Sequence, residues 1–291
     1  MKNILIATDL TSNSDRALER AFYIAQEHNA TLHILHVIPQ NNGNEHNNTL
    51  EKDASNLIER MITHQKEQAP LLDVRITVIF STEAIFISIL EQSQKVSADL
   101  IVMGLHGKTK FKDLFVGTTI ERVMRKGNTP VLMVHDKPLC PYQDIISCVD
   151  FAPASRSALR LATQLAYTQK ATFKAVHIYR KPDHLDKFAY AYTVPHAKKE
   201  LDTSQEEIMK ALLETERHHH ESSFGGASLT ITGKCIEGSL PGDLIKEAEA
   251  TKADLITVGV HGQPTFDSSR LGSVAREILT SPPCDVLVVH G

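Results

Sequence analysis

The sequence predicts an α/β protein built from two repeated domains, each with a five-stranded parallel sheet. Three observations carry that expectation. Short apolar runs of strand length alternate with amphipathic stripes at helical spacing along the chain. The text Ala-Asp-Leu-Ile-Val-Met-Gly-Leu-His-Gly, beginning at Ala98, returns as Ala-Asp-Leu-Ile-Thr-Val-Gly-Val-His-Gly at Ala253, and such an internal repeat governs how every other residue is read. The 291 residues leave room for two domains of about 145 residues, an ordinary domain size. Domains are expected at 1–137 and 142–291, with Pro138 to Pro141 as the linker.

In the first half, Ile4 to Thr8 reads as a strand covered on both faces, closed by Asp9. Ser12 or Ser14 is expected to cap the next helix, with Ala17, Leu18, Ala21, Phe22, Ile24 and Ala25 buried. Thr31 to Val37 is the second strand, and Gln40 to Thr49 a polar, Asn-rich loop. Leu50 to Gln68 reads as a helix with Leu57, Ile58, Met61 and Ile62 inward. Val74 to Phe80, Leu100 to Met103 and Val131 to Val134 complete the strands, with helices at Ala84 to Val96 and Thr118 to Lys126. Strict alternation implies parallel pairing and right-handed crossovers. Ligands in such sheets bind beyond the carboxyl ends of the strands, where Asp9, Val37 and Gly104 lie.

The second half repeats the plan. Its strands are Asp144 to Val149, Ala171 to Tyr179, Leu229 to Ile236, Leu255 to Val258 and Val286 to Val289. Asp150 takes the place of Asp9, and His177-Ile178 that of His36-Val37. The first helix is expected to bury Ala158, Leu159, Leu161, Ala162, Leu165 and Ala166, and the third runs from Gly242 to Thr251. Lys181 to Thr203 has no counterpart in the first half and reads as an inserted surface loop. The last strands of both halves are apolar edges, which invite pairing.

Composition narrows the function. A net charge of −4 argues against a general nucleic-acid or membrane-surface partner. Cys140, Cys148, Cys235 and Cys284 form no C-x-x-C pair. With no secretory signal at the start, they read as reduced cytosolic thiols. No apolar run approaches the length of a membrane span.

The chemistry concentrates in the repeated loop. Gly104, Gly107, Gly117 and Thr118 reappear as Gly259, Gly262, Gly272 and Ser273. Each set leaves a strand and opens a helix. Glycine lets a ligand approach the backbone, successive amides form an anion nest, and a helix N-terminus adds donors and a positive dipole end. Gly107-Lys108-Thr109 is not a P-loop, because the glycine required five residues earlier is Val102.

On these residues the sequence resembles the universal stress protein family in its tandem form, whose pattern G-x2-G-x9-G-[S/T] both halves carry. The resemblance implies a Rossmann-like, adenine nucleotide alpha hydrolase-like fold and binding of ATP, or of ADP or AMP. It implies phosphate and ribose contacts from Gly104, Gly107, Gly117, Thr118 and Thr119, and from Gly259, Gly262, Gly272, Ser273 and Val274. Asp9 and Asp150, with backbone groups of Val37 and Ile178, would hold the nucleoside. Domains of the family pair through the last strand, so an internal pseudo-dimer is expected, with further homodimerisation open.

The halves differ. Gly238 stands where the family usually places glycine, but the first half has Glu83, a carboxylate expected to repel polyphosphate there. The first loop offers Lys108, Lys110 and Lys112, the second Arg270. His106, His261, His135 and His290 read as solvated or backbone-bonded, and His218 to His220 as a surface helix end rather than a metal site. No catalytic constellation is evident. The reading is a cytoplasmic, nucleotide-binding stress-response protein that is not an enzyme, slow ATP hydrolysis being incidental. The alternatives are an ATP-hydrolysing enzyme of related architecture and a scaffold with vestigial or non-nucleotide sites.

Overall fold

The computed structural model describes residues 1–38, 44–68, 74–105, 119–135, 141–180, 204–219, 229–260 and 272–290. The chain forms two compact units. The first comprises Met1–Cys140 with Phe266–Leu271 and Leu279–His290; the second comprises Pro141–Thr265 with Gly272–Ile278 and Gly291.

The first unit holds β1 (Asn3–Thr8), α1 (Ser12–Glu27), β2 (Thr31–Val37), α2 (Asn44–Gln68), β3 (Arg75–Ser81), α3 (Ile85–Lys95), β4 (Leu100–Gly104), α4 (Thr119–Lys126) and β5 (Val131–Val134). It also holds the chain's last strand, β10 (Asp285–Val289). Its strands run in the order β3-β2-β1-β4-β5-β10. All neighbours are parallel except β5 and β10, which are antiparallel. β1, β4 and β5 are buried along nearly their whole length, which is why they are continuous apolar runs rather than alternating ones.

The second unit holds β6 (Asp144–Cys148), α5 (Pro153–Gln169), β7 (Thr172–Tyr179), a helix α6 over residues 204–219, β8 (Ile231–Glu237), α7 (Gly242–Ala250) and β9 (Leu255–Gly259). The helix α8 (Ser273–Thr280) starts in this unit. The strand order is β9-β6-β7-β8, all parallel. Met209 and Leu213 of α6 press on Gly233 of β8, where a Cβ would lie 2.7 Å from Met209 Cγ and 2.9 Å from Leu213 Cδ1. Glu216 of α6, nearly buried, faces Arg160 of α5 at 3.5 Å.

Three local expectations need correction. α2 begins at Asn44 rather than after Thr49; helix propensity is a weak prior, and the polar Asn-rich run does not exclude a helix start. Leu57 is 45% exposed whereas Ala54 and Ile58 are buried, so the inward stripe follows the four-residue spacing. Leu161 is half-buried, one position off the stripe of Ala158, Leu159, Ala162, Leu165 and Ala166. The 181–203 stretch and most of the expected linker lie outside the described residues.

Candidate functional site

In each unit the chain reverses its direction of travel across the sheet beside its first strand. β1 lies between β2 and β4, and β6 between β7 and β9. Such a switch point opens a crevice at the carboxyl ends of the strands. Register fixes what lines it. Ala7 is opposite Met103 and Thr8 opposite His36, so Gly104 falls level with Thr8, and Val37 level with Asp9. Ser147 is opposite Thr257 and Cys148 opposite Val176, so Gly259 falls level with Val149, and Ile178 level with Asp150. The fold therefore gathers Asp9, Val37 and Gly104 at one end, and Asp150, Ile178 and Gly259 at the matching end of the other unit.

The two aspartates build the same turn. Asp9 Oδ1 accepts the Thr11 backbone N–H at 3.0 Å and the Thr11 hydroxyl at 2.7 Å. Asp150 Oδ1 accepts the Ala152 N–H at 3.0 Å. The residue bridged in each case, Leu10 or Phe151, has positive φ, 60° and 64°. A non-glycine residue there is held against its preference, and the aspartate turn is what holds it. Thr11, whose hydroxyl is committed to Asp9, gives α1 no side-chain cap. Ser14 is not a cap either: it is buried, accepts from the Thr8 hydroxyl at 2.9 Å and donates to Thr11 O at 2.8 Å. Ser155 repeats this, donating to Ala152 O at 3.0 Å.

A histidine braces each turn from the neighbouring strand. His36 Nδ1 lies 2.9 Å from Thr8 O and His177 Nδ1 lies 2.7 Å from Val149 O. A carbonyl can only accept, so in both rings Nδ1 carries the hydrogen. His177 also sits between two rings, 4.5 Å from Phe151 and 6.0 Å from Tyr179 by centroids.

The glycines divide. Gly104 ends β4 and is half-buried. Gly259 is closed by the fold: a Cβ there would lie 2.9 Å from Ala154 C and Ser155 N, and 3.0 Å from Ala154 Cβ. Its missing side chain lets the start of α5 sit against the end of β9. Gly272 donates its N–H to Val260 O at 2.7 Å, and its own carbonyl accepts the first bond of α8 from Arg276 at 3.0 Å. The amides of Ser273, Val274 and Ala275 therefore precede the helical ladder, where a helix N-terminus leaves donors for an anion. In the first unit α4 begins at Thr119. Gly107, Gly117, Thr118 and Gly262, the loop lysines, Arg270, His106 and His261 lie outside the described residues.

Around Gly238 the second half carries its own carboxylate. A Cβ at Gly238 would collide with Asp243 Oδ2. That oxygen accepts the Ser239 N–H at 2.7 Å, while Oδ1 holds Lys246 at 2.9 Å. The Ser239 N–H, and then Lys246, keep the Asp243 carboxyl below its ordinary range. In the second half it is therefore the Asp243 carboxylate that lies over Gly238. The sequence reading also missed Arg180, which follows β7 and donates to Ser239 Oγ at 2.9 Å. It is an exposed cation beside Gly238.

His135 and His290 are tied to the framework: the His135 N–H donates to Asp285 Oδ1 at 2.8 Å, and His290 Nε2 lies 2.7 Å from Met124 O. Among the described residues no His, Cys, Asp and Glu cluster could hold a metal, and no helix is long and apolar enough to cross a membrane.

Two copies of a parallel α/β repeat, each with an aspartate turn and a glycine strand end at its switch point, define a tandem protein of the universal stress class. The universal stress protein family model matches residues 1–135 and again 141–290, and the chain belongs to that family. A universal stress protein of Mycolicibacterium smegmatis is 23% identical over 299 residues, covering 99% of this chain and 96% of that one. Universal stress protein A homolog 1 of Coxiella burnetii is 30% identical over 158 residues, 51% of this chain and 96% of its own. A crystal structure of a universal stress protein from Archaeoglobus fulgidus superposes with a TM-score of 0.74 at 18% identity, covering 99% of this chain and 98% of that one.

Proposed function

We propose that this chain is a cytoplasmic stress-response protein that binds an adenine nucleotide, ATP or its di- or monophosphate, and changes its partner contacts with occupancy. The observation that carries the reading is the duplicated meeting of an aspartate turn, a neighbouring strand's backbone and a glycine strand end at a switch point. The nucleoside would rest on Asp9 and Val37, or on Asp150 and Ile178. Phosphates would take the amides at the start of α4 or α8. The protein's role is binding; any ATP hydrolysis is slow and incidental.

Calorimetric titration of the full chain with ATP tests this. Saturable binding that weakens in Asp9→Ala or Asp150→Ala supports the reading, and absence of heat with ATP, ADP and AMP overturns it. A second reading, that the second repeat's site is vestigial, is favoured by Gly259, whose missing side chain makes room for α5, and by Gly272, whose amide serves Val260. Binding of one nucleotide per chain, lost in Asp9→Ala and untouched in Asp150→Ala, would establish it.

A further inference from the structure

The first unit's sixth strand is the chain's last, and it brings a buried charge. Asp285 opens β10, and its Oδ2 lies 3.2 Å from Arg20 Nε of α1; the two side chains are 5% and 6% exposed. Its other oxygen accepts the His135 backbone N–H at 2.8 Å. The β5–β10 pairing is centred on Leu132 opposite Leu287, flanked by Met133 opposite Val286 and Val131 opposite Val288. Leu287 is the repeat counterpart of Leu132, so the pairing is nearly two-fold symmetric. The strands themselves are near copies, Val-Leu-Met-Val and Val-Leu-Val-Val. Shape and apolarity alone would let each strand pair with its own copy from a second chain.

The charges remove that freedom. The repeat counterpart of Asp285 is Pro130, and that of Arg20 is Leu161. In a β5–β5 pair between two chains, the second chain's Pro130 would stand where Asp285 stands. Arg20 would be buried without that carboxylate, and the His135 N–H would lose its acceptor. Removing one partner from a buried ion pair is strongly destabilising, and specificity is commonly built by penalising the wrong partner in this way.

We infer that the Arg20–Asp285 pair selects the occupant of the β5 edge: it admits the β10 sequence and rejects a second copy of β5. The inference is independent of nucleotide binding.

The test replaces both charges with apolar groups, Arg20→Met with Asp285→Leu, in the full chain. Such replacements of a buried pair commonly keep or raise stability, so the variant is expected to fold while losing selectivity. Light scattering over a wide concentration range should show its mass rising above that of wild type. Adding Leu132→Cys should then raise the yield of disulfide-linked chains under a copper–phenanthroline oxidant, relative to the same background without the new cysteine, when the charges are neutralised and not when Arg20 and Asp285 are kept. A folded variant with the wild-type mass, or equal cross-linking in both backgrounds, overturns the proposal. If the double variant fails to fold, Arg20→Gln with Asp285→Asn takes its place, since it removes both charges and keeps an oxygen for the His135 N–H. Failure of both to fold would make the pair a requirement of the fold rather than a selector, and would overturn the proposal too.

Discussion

Replacing Gly259 by alanine separates packing from ligand approach. The added Cβ would lie 2.9 Å from two backbone atoms, Ala154 C and Ser155 N, and 3.0 Å from Ala154 Cβ. Comfortable carbon contacts lie near 3.5–4.0 Å, so β9 or the start of α5 must retreat by about half an ångström or more. Overpacking of this kind costs about 1–3 kcal/mol, and valine should cost more than alanine. Each kcal/mol lowers Tm by about 2–4 °C in a domain of this size. Urea unfolding of Gly259→Ala should show the loss as a lower midpoint at unchanged slope. Adding Ala154→Gly removes only the 3.0 Å contact, so rescue should be small. An unchanged midpoint, or full rescue by Ala154→Gly, would refute the argument that this glycine exists because α5's backbone lies against it.

Other outcomes follow from other parts of the chain. Burial, chiefly, pushes His28 down to about 4 from 6.5, so the unfolded chain takes up a proton first as pH falls. The stability associated with its neutral ring is full above 6.5 and drains away between 6.5 and about 4. An unscreened shift of this size would be worth about 3 kcal/mol, and partial exposure of the ring reduces it to about 1–2 kcal/mol. His28→Gln should flatten that part of the stability–pH curve, and an unchanged slope would contradict the assignment. Burial, and then the Asp150 charge, push the Cys148 thiol up to about 12; alkylation of the native protein at pH 8 should leave it unmodified while labelling half-exposed Cys235. Asp9→Ala removes the acceptor for two Thr11 donors and frees Leu10 from its positive φ. A loss of about 1 kcal/mol is expected, together with faster amide exchange at the start of α1.

The strands were legible because sheets covered on both faces need apolar runs, and β4, β5 and the Ile4–Ala7 centre of β1 are such runs. The switch-point residues were legible because the repeat placed Asp9 with Asp150 and Gly104 with Gly259. What was hidden depends on distant contacts. Gly259 reads as a ligand glycine until α5, more than a hundred residues earlier in the chain, is seen against it. Nothing in the sequence around Gly238 shows that Asp243, in the first turn of the following helix, lies over it. Arg20 and Asp285 look like ordinary surface charges on their own; only the joining of β10 to the first unit makes them a buried pair.

That joining also bears on how the protein is made. β5 leaves the ribosome long before β10. With 150 residues between Val134 and Asp285 and synthesis at about 5–20 residues per second, the gap is roughly 8–30 s. Throughout that interval a row of main-chain groups on β5 lacks its final neighbour, and many nascent chains share one messenger. Arg20, waiting there without its carboxylate, makes sibling chains on a polysome poor substitutes for a strand that has yet to be translated.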